Sequence, residues 1–225
     1  PIYNEEASII KVITDWNNEF IKYNFTFCFV LINDGSKDDT LRIIKSLNIE
    51  AYIINKRNSG HGRSVRLGYD FTLSSINSKY IFQIDSDGQC LPDYFFKFWN
   101  NRKEFDFIIG SRVSRGDGLI RKMISKTSSI LTSLIVGEKM YDPNTPYRLI
   151  ESNTLKEALS QINESFDIHN IALTYILYKN KTKTLRIPIV FPNRIGGENS
   201  ISLLKVFQMG FNMLIDIYLL RKNDK

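Results

Sequence analysis

Tyr80-Ile-Phe-Gln-Ile-Asp85-Ser86-Asp87-Gly88-Gln89 joins a short apolar run to two carboxylates and an amide at alternate positions. Tyr80 to Ile84 reads as a buried strand, and Gly88 with Pro92 reads as a turn into a helix. Ligands of open α/β sheets gather outside the carboxyl ends of the strands, and Asp85 falls at such an end. Three oxygen donors placed there, Asp85, Asp87 and Gln89, suit a hard divalent cation such as Mg²⁺ or Mn²⁺. Such an ion takes one or two carboxylates and shares its other positions with phosphate oxygens. Taken alone, an Asp-x-Asp pair is more often a solvated turn, so the strand end is what favours the metal.

Outward from this stretch the chain alternates helical and extended patterns. On the amino-terminal side the pattern predicts a helix over Glu5 to Phe20, with apolar residues at helical spacing, and a strand over Phe25 to Ile32. The turn Asn33-Asp34-Gly35-Ser36 follows, then a helix from Asp38 to Leu47, a strand from Ala51 to Ile54, and the turn Asn58-Ser-Gly-His-Gly62 into a helix through Leu73. Strands separated by single helices imply parallel pairing through right-handed crossovers. Pro1-Ile-Tyr-Asn-Glu-Glu6 looks like the loop after a strand, so a first strand is expected to precede it.

On the carboxyl side the pattern predicts a helix over Pro92 to Arg102 and a strand over Phe105 to Ile109. A loop rich in Arg and Gly is expected over Gly110 to Gly118, then two or three helices before a strand over Thr184 to Val190. No repeat, low-complexity tract or linker divides the chain.

Composition bounds the reading without deciding it. A chain of 225 residues with 43% hydrophobic content suits one α/β domain with a full core. Cys28 and Cys90 are too few and wrongly spaced for a disulfide framework or a CxxC metal site, and both are read as buried, unreactive thiols. The net charge of +6 has no block of like charges behind it, and nucleic acid is not expected as a partner.

Several loops are expected to meet at one sheet edge. Asn33-Asp34-Gly-Ser36 could present the Asp34 carboxylate to a base or ribose, or be an Asx turn with an N-cap, and Asp38 and Asp39 favour a helix start. Gly60-His61-Gly62 allows close backbone approach and opens a helix whose N–H groups attract anions. The full dinucleotide fingerprint is missing, which disfavours a Rossmann dehydrogenase. His61 is read as a surface residue within reach of a phosphate.

With the pieces in this order, the chain resembles the family 2 glycosyltransferases through PIYNEE, NDGSKDDT, NSGHGRSVRLGY and IDSDGQ. Within that family it looks most like the dolichyl-phosphate mannose synthase type of polyprenyl-phosphate sugar transferase, through GSRVSR, RKMIS, DPNTPYRLI and IPIVFPNRIGGENS. It departs from them at Gly88, at Cys90-Leu91 and in GHGRS, which stands where Gly-Lys-Gly-Gly-Ala is common. The resemblance implies an α/β GT-A fold with a mostly parallel central sheet flanked by helices, as one domain over 1–225. Its nucleotide-binding half would span about 1–91 and its acceptor half about 92–199. It also implies that Pro1, Tyr3 and Glu5 line the nucleotide pocket, that Asp34 contacts the base, and that Asp85, Ser86, Asp87 and Gln89 hold the metal and diphosphate. Arg112, Arg121, Ser125 and Arg194 would grip an acceptor phosphate, with Asp87, Arg112 and Arg194 closest to the chemistry.

The chemistry such a site requires is independent of the family. Displacing a nucleotide diphosphate from an anomeric carbon creates an oxocarbenium-like centre and a leaving group that gains negative charge. A phosphate acceptor is already anionic and needs only orientation, which the planar Arg fork supplies. Arg121 and Ser125 lie one turn apart on a helix expected over Leu119 to Val136, where a solvated polar face is the plainer reading. Asp142 and Arg148 frame a Pro-rich loop and are spaced to pair. Asp142 and Asp167 are the candidates for a base if the acceptor is a hydroxyl.

The expected last helix, about 200–221, carries a narrow polar stripe of Lys205, Gln208, Asn212 and Asp216 on an otherwise apolar surface. Such a helix suits a membrane interface, with Arg221, Lys222 and Lys225 near anionic head groups, or a cover formed by the domain or by a second copy in a homo-oligomer. The expected location is the cytoplasmic face of the membrane, peripherally bound, or the cytosolic face of the endoplasmic reticulum in a eukaryote. Rival readings are transfer to a glycan hydroxyl and a silent nucleotide-binding or membrane-docking module. A sugar-phosphate nucleotidyltransferase would need a Gly-rich basic signature near its first strand that is not visible.

Overall fold

A helix opens the molecule, and two parallel strands come next, each followed by a helix. A computed structural model of the chain describes residues 1–115, 130, 133, 140–163 and 169–193. Helix α1 (Ile9–Lys22) precedes β1 (Phe29–Asn33), α2 (Thr40–Ser46), β2 (Ala51–Asn55), α3 (His61–Ser75) and β3 (Tyr80–Gln83). A 3₁₀ turn (Pro92–Tyr94) leads into α4 (Phe95–Asn101), and β4 (Phe107–Arg115) comes next. After it come β5 (Arg148–Glu151), α5 (Ser152–Ser160), α6 (His169–Lys179) and β6 (Thr184–Phe191).

Strands β1 and β2 pair in parallel in a two-stranded sheet, and Ile2 makes a parallel bridge to Asn33 on the other side of β1. The remaining strands form a four-stranded sheet in the order β3-β5-β4-β6. In it β4 and β6 are parallel, while β5 runs antiparallel to both β3 and β4. The α/β class holds. The short antiparallel β5 was not anticipated, because Tyr-Arg-Leu-Ile after a Pro-rich loop has too few residues to show a period.

Segment 110–115 corrects the expected Arg- and Gly-rich loop. It continues β4, because β6 offers a partner as far as Phe191, and a register shift between Arg112 and Ser114 bulges the strand at exposed Val113. Bulges re-aim neighbouring side chains and gather beside active sites. Pro188 sits on β6, which lies at the edge of this sheet among the described residues, where proline is tolerated. Gly110 is the point of closest packing: a Cβ there would lie 2.2 Å from Ile189 Cδ1 and 3.1 Å from Tyr147 Cβ.

Side chains alternate across the strands and build separate cores. On one face Ile81, Phe107, Ile109 and Ile150 meet Val65 and Tyr69 of α3, Leu155 of α5 and the buried α6. Helix α6 is buried from His169 to Leu177, as expected for a helix with no polar face. On the other face an aromatic cluster joins Trp16, Phe20, Phe95, Phe98 and Tyr147. Trp16 packs 5.2 Å from Phe82 and 5.9 Å from Tyr147 between ring centroids, which is the tilted, offset contact aromatic rings prefer. Ile2, Ile9, Ile13, Leu31 and Ile44 fill a third cluster beneath α1 and α2. Among the described residues no helix is long and apolar enough to cross a membrane.

Candidate active site

The carboxyl ends of β1 and β3 and the start of α3 come together at one edge. The amino-terminal segment is bolted to the β1 loop. Asn4 N–H donates to Ser36 Oγ at 3.0 Å, Lys37 N–H to Asn4 Oδ1 at 2.8 Å, and Glu5 N–H to Thr40 Oγ1 at 2.8 Å. Ser8 Oγ–H reaches Glu5 Oε2 at 2.6 Å and the Ser86 carbonyl at 3.2 Å, and Ser86 Oγ–H donates to the Pro1 carbonyl at 2.9 Å. Pro1, Glu5 and Ser86 are therefore one connected unit, with Tyr3 exposed beside them.

Asp34 is only 4% exposed, so its carboxylate needs partners. Ser59 N–H donates to Oδ1 at 2.8 Å, Gly60 N–H donates to Oδ2 at 2.9 Å, and the Lys56 ammonium pairs with Oδ1. Asp34 thus ties the β1 loop to the entrance of α3, and Lys56 is a site residue that sequence reading missed. Gly35 permits this approach: at φ +70 a Cβ would sit 2.8 Å from Asn58 N. Asp38 Oδ1 accepts from Thr40 N–H at 3.1 Å, while Asp39 pairs with Arg42 at the surface.

The acidic loop is held by large side chains. Trp16 Nε1–H donates to the Cys90 carbonyl at 3.1 Å, and Tyr147 Oη–H donates to the Leu91 carbonyl at 2.9 Å. Asp87 is buried, and its Oδ1 accepts from Gln89 N–H at 3.1 Å. Gln89 Nε2–H donates to the Pro192 carbonyl at 2.8 Å, which ties this loop to the end of β6. Asp85 Oδ1 is buried and makes no hydrogen bond, with His61 Nε2 3.6 Å away. A buried carboxylate oxygen without a donor is expensive unless a cation completes it. Among the described residues no group of three or more His, Cys, Asp or Glu forms a metal cluster. A hard cation such as Mg²⁺ or Mn²⁺ takes one or two carboxylates, with phosphate and water completing its shell. Cys90 is buried and Cys28 partly so; burial pushes both thiols up, with Asp85 adding to the effect at Cys90, so both stay protonated and inert.

Arg112 and Asp142 form a near-buried pair. The Asp142 carboxylate accepts from Arg112 backbone N–H at 3.1 Å, from Nε–H at 2.6 Å and from Nη2–H at 2.5 Å. Asp142 has φ 48, an uncommon conformation for a side-chain-bearing residue. The expected pairing of Asp142 with Arg148 is therefore corrected. Arg148 is 0% exposed and gives its donors to carbonyls: Nε to Thr145 at 3.0 Å, Nη1 to Asn170 at 3.1 Å, Nη2 to Pro143 at 2.9 Å and Thr145 at 2.7 Å. Burial pushes its pKa down to about 10, which leaves it cationic at neutral pH. Arg121, Ser125, Asp167, Arg194 and residues 200–221, where the last helix is expected, lie outside the described residues.

The model of the family described as "Glycosyl transferase family 2" matches residues 1–184. The chain belongs to glycosyl transferase family 2. Membership makes it a glycosyltransferase domain. An uncharacterised protein of Methanocaldococcus jannaschii is 32% identical over 170 residues, covering 70% of this chain and 72% of that protein. An undecaprenyl-phosphate 4-deoxy-4-formamido-L-arabinose transferase of Photorhabdus laumondii is 24% identical, covering 95% of this chain and 65% of that protein. A dodecaprenyl-phosphate galacturonate synthase of Rhizobium johnstonii is 24% identical, covering 70% of this chain and 48% of that protein. The chain thus spans roughly half to two thirds of the prenyl-phosphate transferases it matches. Glucosyl-3-phosphoglycerate synthase of Mycobacterium tuberculosis, solved with Mn²⁺, UDP and phosphoglyceric acid, superposes with TM-score 0.73 at 16% identity, covering 98% of this chain and 76% of that one. That likeness establishes the GT-A fold.

Proposed function

We propose that this family 2 domain transfers a sugar, with inversion, from a UDP- or GDP-sugar to a polyprenyl phosphate such as dolichyl or undecaprenyl phosphate. The observation that carries the donor half is the buried, unpartnered Asp85 Oδ1 at the carboxyl end of β3, beside buried Asp87. Asp85 and Asp87 would hold Mg²⁺ or Mn²⁺, which when bound would offset charge on the departing diphosphate as a Lewis acid. Gln89, its amide nitrogen given to Pro192, would stand beside them as the third oxygen donor. Pro1, Tyr3, Glu5 and Asp34 would border the nucleoside. The start of α3, from His61 onward, would face the diphosphate with its first N–H groups.

For the acceptor half, the named relatives act with undecaprenyl and dodecaprenyl phosphate. Arg112 supports the same reading. Asp142 fixes one edge of its guanidinium through Nε and Nη2, and Nη1 makes no hydrogen bond among the described residues. A phosphate meeting that remaining edge would find a pre-set cation. An anionic acceptor needs no proton removed, which suits an Asp142 committed to Arg112 rather than held ready as a base. Arg121, Ser125 and Arg194 would complete the phosphate grip, and the 200–221 pattern would hold the domain on the cytoplasmic membrane face.

The test is incubation of the protein with radiolabelled UDP- and GDP-sugars, Mn²⁺ or Mg²⁺ and a short-chain polyprenyl phosphate. The expected result is label that partitions into organic solvent and is lost in Arg112→Ala. Label confined to water-soluble product would reassign the acceptor to a glycan hydroxyl. Metal-dependent nucleotide binding without any transfer would leave a silent module.

A further inference from the structure

Of the two histidines, His61 stands at the acidic strand end, with its Nε2 3.6 Å from Asp85 Oδ1. That separation is too long for a hydrogen bond, and Asp85 Oδ1 accordingly makes none. The side chains of His61 and Asp85 are 53% and 28% exposed, so an ion can arrive between them from solvent. His61 is held there through its backbone. Asp34 Oδ2 accepts from Gly60 N–H at 2.9 Å, and the Gly60 carbonyl accepts from Ser64 N–H at 3.1 Å and from Ser64 Oγ–H at 3.0 Å. The first residue of α3 is therefore fixed in place, while its imidazole makes no hydrogen bond among the described residues.

A carboxylate oxygen carries only lone pairs, and a neutral imidazole carries one on its unprotonated nitrogen. Two such donors facing each other without a bond suit a shared cation. Ligand atoms about 2.0–2.2 Å from one ion stand roughly 2.8–3.6 Å apart at right-angled to tetrahedral angles, which includes the separation seen here. An imidazolium paired with Asp85 is the rival account, and at this exposure such a pair contributes little. The sequence agrees with a ligand. The chain has GHGRS where Gly-Lys-Gly-Gly-Ala is common in relatives, and a lysine ammonium has no lone pair to give. The pair also distinguishes between ions: Mg²⁺ keeps to oxygen donors, whereas imidazole nitrogen is a ligand of transition-series ions.

We infer that His61 Nε2 is a ligand, together with Asp85, for the ion of the donor site, and that it biases this site toward a transition-series ion such as Mn²⁺ over Mg²⁺. The inference rests on the donor-site reading above and adds to it a nitrogen donor and an order of preference among ions. Carboxylates, water and phosphate oxygens serve Mg²⁺ and Mn²⁺ alike, so the preference depends on the imidazole.

The test is pulsed electron paramagnetic resonance of Mn²⁺ on the full chain with UDP and, in turn, GDP, for the wild type, His61→Ala and His61→Gln. Calorimetric titration of each protein with Mn²⁺ and with Mg²⁺ accompanies it, and thermal melts report that the variants fold. The expected result is a nitrogen modulation from a directly bound imidazole in the wild type that is lost in both variants. The Mn²⁺-to-Mg²⁺ affinity ratio should fall ~10-fold or more in His61→Ala, a response that metal sites show to the loss of even an outer partner. His61→Gln, which offers an oxygen in place of the nitrogen, should shift the ratio the same way. A wild type that binds Mn²⁺ without the nitrogen signal, a signal that persists in His61→Ala, or an unchanged ratio would overturn His61 as a ligand while leaving Asp85 and Asp87 in place. Absence of any Mn²⁺ binding by the wild type in the presence of nucleotide would overturn both.

Discussion

At the scale of single residues, the site is defined by charges that the fold leaves incomplete. Asp85 Oδ1 is buried and makes no hydrogen bond, while Asp34 is fully furnished with donors and organises a loop; under the proposed function a cation would complete Asp85. Asp85→Asn and Asp87→Asn should each lower turnover at least ~100-fold, since transition-state charge stabilisation is removed. Isothermal titration should show nucleoside diphosphate binding that no longer responds to Mn²⁺. His169 makes a separate claim about stability. Its folded pKa of about 3 lies below the unfolded value, so between these values only the unfolded chain takes the proton. Its contribution is constant above about pH 6.5 and erodes stability by at most ~1.4 kcal/mol per unit as pH falls toward 3. Urea melts at pH 7, 6, 5 and 4 should show a slope that flattens in His169→Gln.

At the scale of elements, β4 matters most, because its extension along β6 carries Arg112 to Asp142. The register shift after Arg112 and the positive φ of Asp142 fix the two partners from opposite sides. Arg112→Lys and Asp142→Asn should each raise the acceptor KM by roughly tenfold while leaving nucleotide affinity unchanged, because a Lys point charge cannot replace the fork. Steady-state kinetics against polyprenyl phosphate would show it, and a rise in nucleotide Kd instead would place the pair elsewhere. Gly110→Ala meets Ile189 and Tyr147 at the same β4–β6 seam. It should cost about 1–3 kcal/mol in a denaturant melt, the range for overpacked cores.

At the scale of the whole molecule, the acidic loop after β3 is tied to the end of β6 by Gln89 to Pro192, and to β5 by Tyr147, next to its start, to Leu91. If the carboxyl-terminal pattern of apolar residues and Arg221, Lys222 and Lys225 seats the domain on a bilayer, the full chain should co-sediment with anionic vesicles. That binding should weaken between low and high salt, since the attraction to head groups is screened. Neutral vesicles binding as well as anionic ones would refute the electrostatic part.

Residue type and local period settled the alternation of strands and helices and the Asp34 and Asp85 loops, because each depends on neighbours close along the chain, and the motifs PIYNEE, NDGSKDDT, NSGHGRSVRLGY and IDSDGQ carried the resemblance to the family. Elements such as β5 and the far half of β4 were not legible. Their strand character comes from partners many residues away, and Arg-Val-Ser-Arg has no alternation that announces a sheet. The same holds at the site. The sequence marked Asp142 and Arg112 as polar candidates, but only packing paired them and sent Arg148 to backbone carbonyls. The meetings of Lys56 with Asp34 and of His61 with Asp85 carried no spacing signal at all, since each pair is brought together across the fold. Composition and order along the chain determined which chemistry is present; tertiary structure decided which of those groups are satisfied and which are left for a ligand, because desolvation and hydrogen bonding act through space.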